Sequence, residues 1–141
     1  MVFSLSACRN DGGTESTDDL LRLGRTYSNA GDSRNAILAL TKESRSAGQD
    51  SASLGLIFSE IAKVYRQTGD YAEEISYLAK AEKAYDNSGK PYSSRMARFE
   101  SAVASYRAQD YKTASVALKS VMDDAVATSD TLLDAKCLET Y

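Results

Sequence analysis

The residues able to do chemistry in this chain are few. No histidine occurs among its 141 residues, which removes the commonest general base, the commonest metal ligand and every Ser–His or Cys–His nucleophile arrangement. The two cysteines, Cys8 and Cys137, stand too far apart in sequence to read as a disulfide framework or a zinc site. Asp123-Asp124 has no further oxygen ligands close by and resembles no metal site, and there is no glycine-rich phosphate loop. The expectation is a protein that is not an enzyme and uses neither metal nor cofactor. With 17 Lys and Arg against 20 Asp and Glu the net charge is −3. That balance lacks the basic excess or dense basic stripe of a nucleic-acid binder, so no nucleic-acid partner is expected. Nothing approaches the roughly 18 continuous apolar residues of a membrane-spanning helix.

The elements that must position the remaining polar groups are helices. A hydrophobic fraction of 43%, a charged fraction of 26%, one Pro and no Trp suit soluble helical material. Sliding the chain against itself by 38 residues aligns Leu20, Phe58 and Met96, then Leu23, Ile61, Phe99 and Cys137, then Tyr27, Tyr65, Val103 and Tyr141. The spacing of three then four places each set on one helix face. Asp134 breaks the pattern at the first apolar position of the fourth copy. Turns follow at Gly31-Asp32, Gly69-Asp70-Tyr71 and Gln109-Asp110-Tyr111, where Gly can end one helix and Asp cap the next. Second helices then carry Ala36/Leu40, Ile75/Leu78/Ala81 and Ala114/Leu118/Val121. The third turn arrives two residues late, read as a slightly longer first helix. Helices are expected near 18–30, 33–47, 53–68, 71–87, 92–108 and 111–127, with a seventh beginning near 130.

These residues resemble the tetratricopeptide repeat, whose first helix carries a large apolar residue, a Leu-Gly pair beginning three residues on, and a Tyr three residues after the Gly. The copies read Leu20, Leu23, Gly24, Tyr27, then Phe58, Ile61, Ala62, Tyr65, then Met96, Phe99, Glu100, Val103. The small residue opening the second helix is Ala36 and Ala114, but Glu74 in the middle copy. The resemblance implies an all-α fold of helix-turn-helix repeats stacked as a right-handed α-solenoid. Residues 18–141 form this domain, as three repeats plus the first helix of a fourth. A chain stopping at Tyr141 inside that helix reads as a fragment of a longer protein. Cys137, in the Leu23 column, reads as a small buried hydrophobe.

Residues 1–17 read as a signal-peptide remnant and flexible tether. Leu5-Ser6-Ala7-Cys8 matches the lipobox of bacterial lipoprotein signal peptides, in which small residues precede a Cys whose thiol receives the lipid. Arg9 to Thr17 is a polar stretch suited to a tether. Val2-Phe3-Ser4 is too short for the apolar core of a signal peptide. The expected location is the bacterial periplasm or outer membrane, through a lipid on Cys8; if the lipobox match is chance, the alternative is cytoplasmic.

In this family the first helices line a concave groove that holds a peptide or partner helix. In the 38-residue register the groove positions are Arg22, Glu60 and Arg98; Arg25, Lys63 and Ser101; Ser28, Arg66 and Ala104; Asn29, Gln67 and Ser105. Candidate binding residues are therefore Arg22, Arg25, Lys63, Arg66 and Arg98. Arg25, Lys63 and Arg66 would make a mildly basic strip suited to an acidic peptide or terminal carboxylate. The family's carboxylate clamp needs Asn where Arg25 and Lys63 stand, so that activity is not expected. The resulting reading is a non-enzymatic protein- or peptide-binding scaffold of the bacterial envelope. The alternative is the sensory region of a longer membrane-anchored, transcription-regulating protein.

Overall fold

The structure is a computed structural model, which describes residues 17–46 and 50–128. They form six helices: α1 (Thr17–Asn29), α2 (Ser33–Ser44), α3 (Ser51–Thr68), α4 (Tyr71–Asn87), α5 (Pro91–Arg107) and α6 (Tyr111–Ala127). No strand occurs among the described residues. Cys8 with the lipobox expected around it, the helix expected near 130, Cys137 and Tyr141 lie outside them.

Capping chemistry sets the helix boundaries. The carboxylates of Asp32, Asp50, Asp70 and Asp110 accept from the backbone N–H three residues on, in Asn35, Ser53, Glu73 and Thr113. Each satisfies a donor that the first helical turn leaves free. α5 starts differently, with Pro91 in its first turn and no side-chain cap on Lys90, a position where a missing N–H costs nothing. Three of these Asp residues also close the preceding helix: the N–H groups of Asp32, Asp70 and Asp110 donate to the carbonyls of Tyr27, Tyr65 and Ser105. That closure demands a left-handed residue just before the Asp. Gly31 and Gly69 supply it at φ 78°, and Gln109 at φ 65°.

Each helix packs on the next along the chain, and α1 also touches α3. One hairpin cannot bury its apolar stripe alone, so stacking makes the core continuous. Leu40, Ile57, Ile61, Val64, Leu78 and Val121 are all but sealed from solvent, each contributing roughly 1.5–3 kcal/mol by burial. One cluster joins Ala36 and Leu40 to Ile57, Ile61 and Val64; another joins Ala102 to Leu118, Val121 and Ala125. Gly24 permits the closest approach, since a Cβ there would lie 2.5 Å from Leu40 Cγ. Leu23, a core-column residue in the sequence, is 38% exposed, because no described helix packs on that side of α1.

The structure corrects the register of the third repeat. The closing bond of α5 comes from the Ser105 carbonyl, where α3 uses Tyr65, an offset of 40 residues and not 38. Burial agrees: Gly55, Ile57, Ala62 and Val64 on α3 correspond to Arg95, Ala97, Ala102 and Ala104 on α5, all buried. The small residue equivalent to Gly24 and Ala62 is therefore Ala102, and Glu100 is not. Nor is the first helix longer: α5 has 17 residues and α3 has 18. The two residues enter before α5, since the N-caps Asp50 and Lys90 are already 40 apart. The apolar residues Met96, Phe99 and Val103 allowed the 38-residue alignment, but the core column at their level is filled by the smaller Ala97, Ala102 and Ala104.

Candidate functional site

The first helices of the three hairpins, α1, α3 and α5, present polar side chains to one another across the stack. Arg25 donates to Glu60 Oε1 at 3.0 Å, and Lys63 donates to the same oxygen at 3.2 Å. Ser28 donates to Gln67 at 3.1 Å. Further along, Arg66 donates from Nε to Glu74 of α4 at 2.8 Å and from its terminal nitrogen to Glu100 of α5 at 3.0 Å. Burial opposes the Arg66 charge, but its bonds to Glu74 and the pull of Glu100 prevail and hold its pKa above the ordinary value. The structure thus brings Arg25, Lys63 and Arg66 into one ladder, as the repeat register implies, together with three carboxylates. Three positive charges against Glu60, Glu74 and Glu100 leave the ladder neutral, so the basic strip expected from sequence is balanced within the protein. Glu60 and Glu74 are buried while their cationic partners keep partial access to solvent, and the Arg25–Glu60 and Arg66–Glu100 pairs tie one hairpin to the next.

The other two candidates stand apart from the ladder. Arg22 is exposed and pairs with Asp19 of its own helix at 3.4 Å. Arg98 sits at the position of Phe58 in the corrected register, and bridges Glu82 of α4 at 2.9 Å to Asp124 of α6. It lines a different hollow, described below.

Beside the ladder, between α3 and α5, lies a groove of about 280 Å³ lined by Arg66, Met96, Phe99, Glu100, Val103 and Arg107. A neighbouring recess of about 200 Å³ continues from Met96 and Glu100 past Leu56, Lys63 and Tyr92. The floor is apolar, with Met96 and Phe99 only partly buried against the third repeat's core. Arg107, in the last turn of α5, makes no ion pair among the described residues, so its charge is available at the rim. An apolar floor with a few polar groups at the edge is the usual make-up of a recognition groove. Sequence reasoning missed Met96, Phe99, Val103 and Arg107 because the shorter register assigned the first three to the core. The late turn at Gln109-Asp110 was the signal that could have found them.

Among the described residues no cluster of three or more side chains could hold a metal ion, and no helix is long and apolar enough to cross a membrane. The arrangement offers ion pairing, hydrogen bonding and apolar contact, the means of binding.

Residues 57–88 match the family model described as Tetratricopeptide repeat. No curated protein and no solved structure matches the chain. The matched segment is most of α3 with all of α4, and the hairpins on either side share the left-handed turn and the Asp cap that open its second helix. Repeats of this family serve as scaffolds that bind protein partners and typically carry no catalytic chemistry. The α3–α4 hairpin is thus similar to a tetratricopeptide repeat, and the described residues form an all-α solenoid of helical hairpins of this kind.

Proposed function

We propose that the chain holds a polypeptide partner in the groove between α3 and α5, as a non-enzymatic scaffold anchored to the bacterial envelope by a lipid on Cys8. The observation that carries the groove reading is its composition. Met96, Phe99 and Val103 form an apolar floor at helical spacing, with Arg66 at one side and the uncommitted Arg107 at the other. A partner segment placing a large apolar side chain on that floor, with a carboxylate near Arg107, would satisfy both surfaces. Arg25 and Lys63 contribute less to binding on this reading, because Glu60 already occupies them.

Peptide display against the full chain tests this. Selection should enrich sequences with a large apolar residue next to an acidic one. Val103→Glu and Arg107→Glu should each weaken the selected peptides by roughly tenfold, the scale of one lost apolar or charged contact. Equal enrichment on the native chain and Val103→Glu would remove the groove reading.

The envelope reading rests on Leu5-Ser6-Ala7-Cys8 and the polar stretch after it. A fatty-acid analogue fed to the native host should label the native gene product and not its Cys8→Ser variant; an unlabelled native protein overturns the anchor. Sequence upstream of Met1 with basic and apolar segments would support the lipoprotein. A spanning helix and DNA-binding region encoded beyond Tyr141 would favour the sensory alternative instead.

A further inference from the structure

The second and third repeats differ most where aromatic rings are concerned. In the second, Phe58 and Tyr65 of α3 both meet Tyr77 of α4, with ring centroids 6.1 and 5.6 Å apart. The Lys80 ammonium lies 4.3 Å from the centre of the Tyr77 ring. The 40-residue register carries Phe58, Tyr65, Tyr77 and Lys80 onto Arg98, Ser105, Ala117 and Ser120. The third repeat has no ring at any of these places. A hollow of about 560 Å³ opens there instead, lined by Arg98, Lys112, Thr113, Val116, Ala117 and Ser120. It shares no lining residue with the groove between α3 and α5.

Three properties of this hollow indicate what would fill it. Arg98 is held in place by Glu82 and Asp124, so its donors are used at the edge while a guanidinium keeps a planar face on which a ring can stack. Val116 is 66% exposed, an apolar side chain at the hollow with little of its own fold covering it. Lys112 makes no ion pair among the described residues and stands next to this apolar wall, so its charge favours an acidic neighbour.

We propose that the hollow is a docking site for an aromatic side chain of a partner polypeptide, with an acidic residue beside it in the partner's sequence. The ring takes the place that Tyr77 occupies in the preceding repeat. It lies against Arg98, Val116 and Ala117, and the adjacent carboxylate pairs with Lys112. A free aromatic acid would find too little contact in so open a hollow. A chain running along α6 adds contacts beyond the ring.

The test uses the full chain, isotopically labelled, and three probes. These are a doubly capped tripeptide with tyrosine between two glutamates, the same tripeptide with alanine at the centre, and free 4-hydroxyphenylacetate. The tyrosine tripeptide should shift the amide signals of Val116, Ala117 and Ser120 with a Kd on the order of 1 mM, and bind about tenfold tighter than the alanine one. It should also bind tighter than 4-hydroxyphenylacetate. Ala117→Tyr, which restores the second repeat's own ring, should abolish the response while retaining helicity. Lys112→Glu should weaken it about threefold. Because Val116 is exposed, Val116→Glu offers a second variant that disturbs the wall without entering the core. The proposal is overturned by equal responses to the tyrosine and alanine tripeptides, by undiminished binding to both Ala117→Tyr and Val116→Glu, or by 4-hydroxyphenylacetate binding as tightly as the tripeptide.

Discussion

Glu74 and Arg66 form a pair whose two halves should respond very differently to removal. Glu74 is fully buried, its Oε1 accepts from Arg66 Nε at 2.8 Å, and its Oε2 has no hydrogen-bond partner among the described residues. The Arg66 side chain is 32% exposed and holds Glu100 with its other arm. Arg66→Met leaves a carboxylate sealed from water with no counter-charge, a situation that costs about 3–5 kcal/mol. Partial solvent access around Arg66 places the expected value near the lower end, about 3 kcal/mol. Glu74→Ala leaves Arg66 with Glu100 and water, and puts at this position the residue that Ala36 and Ala114 supply in the other hairpins. Its expected cost is about 1 kcal/mol, mostly lost packing of the Glu74 stem. The double variant should then be close to Glu74→Ala alone, because the stranded charge is gone. Urea unfolding followed by helical circular dichroism measures all of these. A Glu74→Ala variant that loses as much stability as Arg66→Met would refute the reasoning.

Three further outcomes follow from the turns and caps. Gln109 adopts φ 65° where the other two turns have Gly. Gln109→Gly should therefore stabilise by about 0.5–1 kcal/mol, relief of roughly 1–2 kcal/mol of left-handed strain less the extra entropy glycine has when unfolded; a lower urea midpoint would contradict this. Gly24→Ala should destabilise by about 1–3 kcal/mol despite the better helix propensity, because the new Cβ would lie 2.5 Å from the fully buried Leu40; a raised thermal midpoint would contradict the close approach. Bonds from the Thr113 side chain and backbone N–H hold the Asp110 carboxyl below its ordinary 3.8. A depressed native value means that the cap is at full strength at neutral pH and fades as pH falls below about 4 and through that lower value. Asp110→Asn, which caps without titrating, should lose less stability than the native chain between about pH 5 and about pH 3. Parallel losses would show that the cap plays no part.

The helices and their punctuation were legible from the chain alone, because they depend on neighbours a few residues apart. Asp32, Asp70 and Asp110 cap donors three residues away, and Gly31 and Gly69 end helices through bonds that span six residues. Periodicity of three and four likewise separates a buried face from a wet one without knowledge of the partner helix. The absence of histidine ruled out most site chemistry by itself. The second repeat, with Phe58, Ile61, Ala62 and Tyr65 at the pattern's first-helix positions, is the one the family model matches.

What the tertiary structure decided was which residues of α5 sit deepest in the core, Ala97, Ala102 and Ala104, with Met96 and Phe99 only partly buried against it. Met96, Phe99 and Val103 are larger and more apolar than Ala97, Ala102 and Ala104, so hydrophobicity alone favours the wrong face. Close approach of α5 to its neighbours needs the small residues inward. That choice turns Met96, Phe99 and Val103 toward the groove and places Arg98 where an aromatic ring stands in the preceding repeat. Charge was decided in the same way. Arg25, Lys63 and Arg66 read as a basic strip along the sequence, but Glu74 reaches Arg66 when the α3–α4 hairpin closes, and Glu60 reaches Arg25 and Glu100 reaches Arg66 only once hairpins stack. Local sequence determines a helix and its ends; which face it buries, and which charges it leaves unmatched, is settled by the neighbour it packs against.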